Sequence, residues 1–400
     1  MAWVGSLLCR TNAIALTHCQ KKQPSVGLVT SASGREGTLD ERGPVKMNPH
    51  EDDVVVEPLR LRRFDHFPDA LLDVAAPDLW LHLAGPSLFH LPGRHAQPLF
   101  VSVLLHGNED SGWRAMQAVL RPHRGKLLPR ALMLFVGNIE AARAGVRTLP
   151  VQMDYNRCWP CVEQPVGAEA RLMREVFEVA RSSSPFASID IHNNTGNNPH
   201  YACVNRLAES FLHLARLFSR TVVYFDRPAG VQSAALAEIC PAVTVECGIA
   251  GGAAGVAHAA DFVASALAMS EFPHHPVPKR DLDLLRTFAI VRVPSDATLS
   301  YDGSDADFRF RGDLDHLNFS ELEAGTSFGF LGHGATRQLD VLPGGDFTTT
   351  ERYFEYVQCE IRLSQRVIPA MLTVDARAVR LDCLGYLMHR IGRDGRRIAA

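Results

Sequence analysis

Short apolar runs rich in β-forming residues recur along the chain at 79–84, 99–105, 131–136, 186–191, 221–225 and 242–245. Runs of that length with few polar interruptions suit strands covered on both faces. Between several of them the spacing turns helical. Leu172, Val176 and Val179 recur at i, i+4 and i+7 within 168–182. Leu207, Phe211, Leu214 and Phe218 recur at i, i+4, i+7 and i+11 within 205–218. Each set places an apolar stripe on one helix face. Residues 111–120 and 254–269 also read as helices. Strands alternating with helices predict an α/β fold, a mixed central sheet flanked by helices.

The two ends have a different texture. Residues 1–50 mix polar residues with Gly and Ser, show no sustained period, and run into Glu51-Asp52-Asp53. They read as a disordered extension, with an upstream start before a true Met47 or a targeting peptide as alternatives. The α/β domain is placed at 51–275. Pro273, Pro276 and Pro278 then make a stiff linker. Beyond it, 281–400 carries shorter runs such as 288–293 and 354–363 and the turn signal Leu342-Pro343-Gly344-Gly345-Asp346. This part reads as a smaller, mostly β domain.

Composition narrows the function classes. Hydrophobic residues make up 46% of the 400 and charged residues 21%, enough for a large core and too apolar for wholesale disorder. Lys and Arg number 41 against 44 Asp and Glu, a formal charge of -3, so no general polycation awaits nucleic acid. No apolar run reaches the ~18–20 residues of a membrane-spanning helix. The nine Cys are odd in number and scattered. A reduced cytoplasmic enzyme fits them better than a disulfide framework. A homo-oligomer remains open.

Three strand ends carry the chemistry. The 99–105 run leads into His106-Gly107-Asn108-Glu109-Asp110, where a His and a carboxylate three residues on, past a Gly turn, can converge on one cation. The plainer account is a polar loop with an acid at a helix start. The 186–191 run ends in Asp190-Ile191-His192. His192 can supply a third ligand, and Asp190, on the same strand face, can orient an imidazole or simply pair with His192. The third run ends in Glu246-Cys247-Gly248. A carboxylate at a buried strand end is costly unless paired or functional. His106, Glu109 and His192 would leave a zinc ion an open position for water, and Glu246 would be the free base beside it.

Between the first two of these strands lies a long loop with Asn138, Arg143 and Arg147, then Asp154-Tyr155-Asn156-Arg157 before the aromatic Trp159. An Arg fork binds carboxylates bidentately. The order H-x-x-E, N…R, D-x-N-R with a following aromatic, D-I-H and E-x-G resembles the succinylglutamate desuccinylase/aspartoacylase branch of the zinc carboxypeptidase-like (M14) superfamily, over about residues 95–260. The resemblance implies that His106, Glu109 and His192 bind one zinc ion and that Glu246 is the general base and acid. It implies that Arg147 stabilises the oxyanion and that Asn156 and Arg157 clamp a substrate carboxylate. A C-terminal β domain near the entrance also suits that branch. Ile139 stands where the family usually has Pro, Tyr155 where it has Leu, and Trp159 where it has Phe. The spacing from Arg147 to Asn156 is long for the family, which leaves Arg143 a rival for the oxyanion. Arg206, Arg227 and the C-terminal tyrosines are candidates for substrate selection.

Two further motifs receive plainer readings. Cys158-Trp159-Pro160-Cys161 is read as two incidental thiols, because no thioredoxin-like helix follows at once. The Gly-rich 248–255 lacks P-loop and dinucleotide spacing and reads as a turn that brings Glu246 close to the metal. The expected function is zinc-dependent hydrolysis of an amide in a small carboxylate-bearing substrate such as an N-acyl amino acid. The rivals are a metallocarboxypeptidase acting on peptide C-termini and a non-catalytic zinc-binding module.

Overall fold

Continuous apolar runs fold where both faces can be covered, and the strands that carry the site are of that kind. Leu99, Phe100, Val101 and Val103 are fully buried, as are Leu132, Leu134 and Phe135 on the neighbouring strand. The computed structural model describes residues 59–343 and 353–398. The expected extension over 1–50 and the centre of the turn at 344–346 lie outside the described residues.

In chain order the strands are β1 (Arg62–Phe64), β2 (Ser87–Leu91), β3 (Gly93–Val103), β4 (Leu128–Val136), β5 (Ala187–Asn194), β6 (Tyr201–Val204), β7 (Thr221–Tyr224) and β8 (Ala242–Ile249). They continue as β9 (Asp283–Arg292), β10 (Leu299–Ser300), β11 (Phe308–Phe310), β12 (Ser327–Leu331), β13 (Asp340–Pro343), β14 (Phe354–Val357), β15 (Glu360–Leu363), β16 (Ile368–Ala370) and β17 (Gly385–Arg390). The α-helices are α1 (Ser111–Leu120), α2 (Ile139–Ala144), α3 (Ala168–Ser182), α4 (Glu209–Phe218), α5 (Gln232–Leu236), α6 (Ala253–Ala268) and α7 (Ala376–Leu381).

Among the described residues, 12 strands form one mixed sheet in the order β1-β2-β4-β3-β5-β8-β6-β7-β9-β17-β16, with β13 added on β9. Its centre is parallel: β4, β3, β5 and β8 run the same way, so their carboxyl ends share one edge. The main sheet continues past the proline-rich stretch, because β9 pairs with β7 on one side and β17 on the other. A second sheet, β10-β11-β12-β15-β14, lies in the C-terminal region. This is the mixed α/β architecture that the alternating pattern predicts, with a separate smaller sheet.

The helical periods hold for α3 and α4, whose stripe residues Leu172, Val176, Phe211, Leu214 and Phe218 are buried. Arg130 ties the far end of the sheet together. Its guanidinium donates to the carbonyls of Gln97, Met269 and Ser270 and lies 3.8 Å from the centre of the Phe186 ring. No described helix is long and apolar enough to cross a membrane.

One expected strand is absent. The run at 79–84 does not extend; Ala76–Leu81 is a 3-10 helix with Pro at its start. Pro77 fixes a φ suited to a helical turn. Leu79 alone of the apolar trio is fully buried, whereas Trp80 and Leu81 are exposed. Trp80 instead lies under the Arg143 guanidinium, 3.8 Å from ring centre to cation. The run at 354–363 is a hairpin, turned at Gln358 and Cys359, both with positive φ.

Candidate active site

The strand tips of β3, β5 and β8 meet at the shared edge. The parallel register sets Ser102 beside Asp190, and His192 beside Glu246. Gly107 lets the tip of β3 lie against α2: a Cβ there would come within 2.1 Å of the Ala141 backbone. Asn138 caps α2 by accepting from the Ala141 N–H at 3.2 Å, and Gly145 ends it in the left-handed conformation. The chain then delivers Arg147, whose carbonyl accepts from the Gly107 N–H at 3.1 Å.

Glu109 stands between the two imidazoles. Its Oε1 lies 2.8 Å from His106 Nδ1 and its Oε2 lies 2.7 Å from His192 Nδ1. The other ring nitrogens face carboxylates: His106 Nε2 is 3.0 Å from Asp154, and His192 Nε2 is 2.7 Å from Asp190. Asp190 in turn accepts from the Ser102 hydroxyl at 2.7 Å. Each Nε2–H given to a carboxylate leaves its Nδ1 a lone pair aimed at the shared centre, the outer support that ligating imidazoles need. One donor atom from each of His106, Glu109 and His192 lies within 4.8 Å of the others, and all three residues are buried. Two imidazoles and a carboxylate fit a divalent cation.

The charges of these groups depend strongly on one another. Burial would push the Glu109 carboxyl up, but His106 and then His192 outweigh it and hold it well below the usual range. Burial would likewise lower His192, but Asp190 and Glu109 raise it well above the ordinary imidazole value. Glu246 differs. Burial, with help from the charge of Glu109 and against the pull of His192, pushes it up to about 7. Its partner is the Asn194 amide at 3.4 Å. A carboxyl poised near neutrality beside a cation site can take and return a proton.

The rest of the pocket is lined by Arg147, Arg157, Tyr201, Cys203, Phe225, Met371 and Tyr386, among others. Arg147 donates to Asp154 from Nε at 3.1 Å and from Nη2 at 2.9 Å, and its Nη1 is 3.9 Å from Glu109. Its rival Arg143 lies outside this pocket, half-exposed over Trp80. Asn156 lines the pocket with its amide engaged. Its Oδ1 accepts from the Gln232 N–H at 2.8 Å, and its Nδ2 lies 3.0 Å from His192 Nε2 and 3.3 Å from Asp190. Arg157 donates to the Asn156 carbonyl at 2.9 Å and to both oxygens of Asp382 at 3.1 and 3.2 Å. Arg227 reaches the rim, paired with Glu163 at 2.7 Å, while Arg206 pairs with Glu238.

Sequence reasoning left two acids without a role. Asp154 joins the His106 side to the Arg147 side, and His106 and Arg147 overcome its burial to hold it well below the usual carboxylate range. Its only sequence signal was its place in the D-x-N-R motif. Asp382 stands 225 residues from Arg157. An acid inside the otherwise apolar Leu381-Asp382-Cys383-Leu384 was the available hint, since a carboxylate in such company needs a partner. The two motif thiols stay free, and burial pushes Cys158 up to about 12, which suits an unreactive thiol.

Residues 96–275 match the family model described as the succinylglutamate desuccinylase/aspartoacylase catalytic domain. Among solved structures, the succinylglutamate desuccinylase of Vibrio cholerae aligns over 81% of this chain and 96% of its own, at 14% identity and a TM-score of 0.50. The succinylglutamate desuccinylase of Chromobacterium violaceum covers 75% and 86%, at 17% identity and 0.47. Murine aminoacylase 3 covers 74% and 96%, at 16% identity and 0.46. Of these, the Vibrio cholerae protein is similar in fold; identities this low say nothing of substrate. No curated protein matches.

Proposed function

We propose, from the match of residues 96–275 to the succinylglutamate desuccinylase/aspartoacylase catalytic domain, that the protein is a zinc-dependent deacylase of that family acting on small N-acylated carboxylates, such as N-acyl amino acids. The observation that carries this reading is the convergence of His106, Glu109 and His192, with Glu246 left over on the adjoining strand.

A zinc ion held by those three side chains would supply Lewis acidity, polarising the amide carbonyl and easing loss of a proton from water. Glu246 receives that proton on its carboxylate and hands it to the departing amine nitrogen. Arg147, with Nη1 turned towards the cluster, stabilises the oxyanion. Arg157 receives the substrate carboxylate and so fixes the scissile bond within reach. Asn156 donates to Asp190, the partner of His192, and through its carbonyl holds Arg157; its own amide is already bonded within the protein. Tyr201, Phe225 and Met371 give the remaining wall an apolar character that suits an aliphatic or aromatic group.

The test is hydrolysis of a panel of N-acyl amino acids by the zinc-loaded chain, beside short peptides. Release of free amino acid from the acylated set, lost in Glu246→Gln with zinc retained, is the expected result. Full activity in that variant would remove Glu246 as the base, and turnover of the peptides alone would make the protein a carboxypeptidase.

A further inference from the structure

The proposed substrate carboxylate meets a site that the protein already fills with a carboxylate of its own. Asp382 closes the end of α7 and offers both oxygens to Arg157 Nη2, while Arg147 Nη2 lies 3.7 Å from its Oδ2. Arg147 in turn is held by Asp154. Two guanidiniums are thus matched by two carboxylates. An added substrate anion would bring an uncompensated negative charge into this poorly hydrated cluster. Exchange for Asp382 would keep the balance.

Asp382 has somewhere to go. It lines the catalytic pocket and also a second cavity bounded by Thr373 and Arg377, with Arg147 shared by both. Its side chain is 23% exposed, so it stands at the boundary between the two spaces rather than sealed in the core. Burial would push its carboxyl up, but Arg157 and Arg147 outweigh that and keep it ionised.

We propose that Asp382 is an internal carboxylate that occupies the Arg157–Arg147 pair until a substrate carboxylate exchanges for it, and that it thereby sets how strongly the pocket prefers anionic substrates. The inference rests on the deacylase reading for the identity of the ligand but not for its measurement. With Asp382 present, an acid and its uncharged carboxamide bind comparably, because the acid gains an arginine contact only by breaking one. Without that charge, the acid alone gains.

The experiment is calorimetric binding of N-acetyl-leucine and its carboxamide to the zinc-loaded full chain in a Glu246→Gln background, with Asp382 intact or replaced in Asp382→Asn. Binding is read without turnover, so loss of the deacylase reading would show separately as absent hydrolysis by the parent. With Asp382 intact, the two ligands should bind within about threefold of each other. In Asp382→Asn, the acid should bind about tenfold tighter or more, roughly 1.4 kcal/mol per factor of ten, with the carboxamide nearly unchanged. Asp382→Ser serves as a second uncharged variant should the first fold poorly. A folded variant in which the acid gains nothing, or in which both ligands gain equally, would overturn the inference. A preference of about tenfold for the acid with Asp382 intact would overturn it without any substitution at that position.

Discussion

The two sides of the pocket are built on different length scales. On the metal side, His106, Glu109, His192 and Glu246 sit at the ends of three neighbouring parallel strands, and the sheet register alone brings His192 beside Glu246. On the arginine side, Arg147 and Arg157 come from the loop between β4 and α3, but Asp382 arrives from the far end of the chain. The first side is a property of secondary structure and the second of tertiary closure. A cation centre must be rigid to fix three donors, whereas a site that exchanges anions must keep a movable member.

The sharpest way to break this division is to remove a ligand. His192→Ala should lose both bound cation, by elemental analysis, and hydrolysis. A variant that kept stoichiometric metal would place the centre elsewhere. Next in size is Glu246→Gln, which should retain metal while turnover falls by about 10²–10⁴-fold. The parent should also show a pH arm that this variant lacks. Glu246 is pushed up to about 7 by burial, and a base works only once deprotonated, so kcat/KM should rise with pH through that range. A nearby cation favours the charged carboxylate and moves the arm lower. An unchanged arm in Glu246→Gln would assign it to another group.

On the arginine side, Arg147→Met should cost about 10²–10³-fold in kcat with metal content kept, the usual scale for an oxyanion donor. Arg143→Met should leave turnover within about twofold, because that side chain spends its charge over Trp80 and near Glu140. A reversal of the two would return the oxyanion role to Arg143.

The same contrast explains what was legible in the sequence. The metal side could be read because strand-end chemistry is local: an apolar run, then His-Gly-Asn-Glu or Asp-Ile-His, states both the element and its exposed edge. The helices α3 and α4 were legible from their stripes. The run at 79–84 was not, because apolar content does not distinguish an extended strand from a tight helical turn when Pro77 sets the backbone. Asp382 was not legible because no local period points to a partner 225 residues away. Arg157 could be found by its motif, but the carboxylate already lying on it could not. Asn156 could be named from its motif, while the engagement of both ends of its amide depends on Gln232 and Asp190, which only the fold brings to it.

Asp154 tests whether the two sides are separable at all, since one carboxylate serves both. Its Oδ1 faces His106 Nε2 at 3.0 Å and accepts from the Asn156 N–H at 2.7 Å, and its Oδ2 takes the Arg147 fork. Asp154→Asn keeps the shape and removes the charge. Its effect should be a loss of about 10–100-fold in metal affinity, the scale expected when the outer partner of a ligating imidazole is weakened. Competition with a chelator of known affinity reads this directly. The substitution also frees Arg147 from its closest counter-charge and leaves the two guanidiniums with Asp382 alone, so an added acid no longer has to displace it. Weakened metal binding would therefore be accompanied by stronger binding of an acid relative to its carboxamide. Loss of metal affinity with the acid-to-carboxamide ratio unchanged would show that the sides are independent despite sharing Asp154.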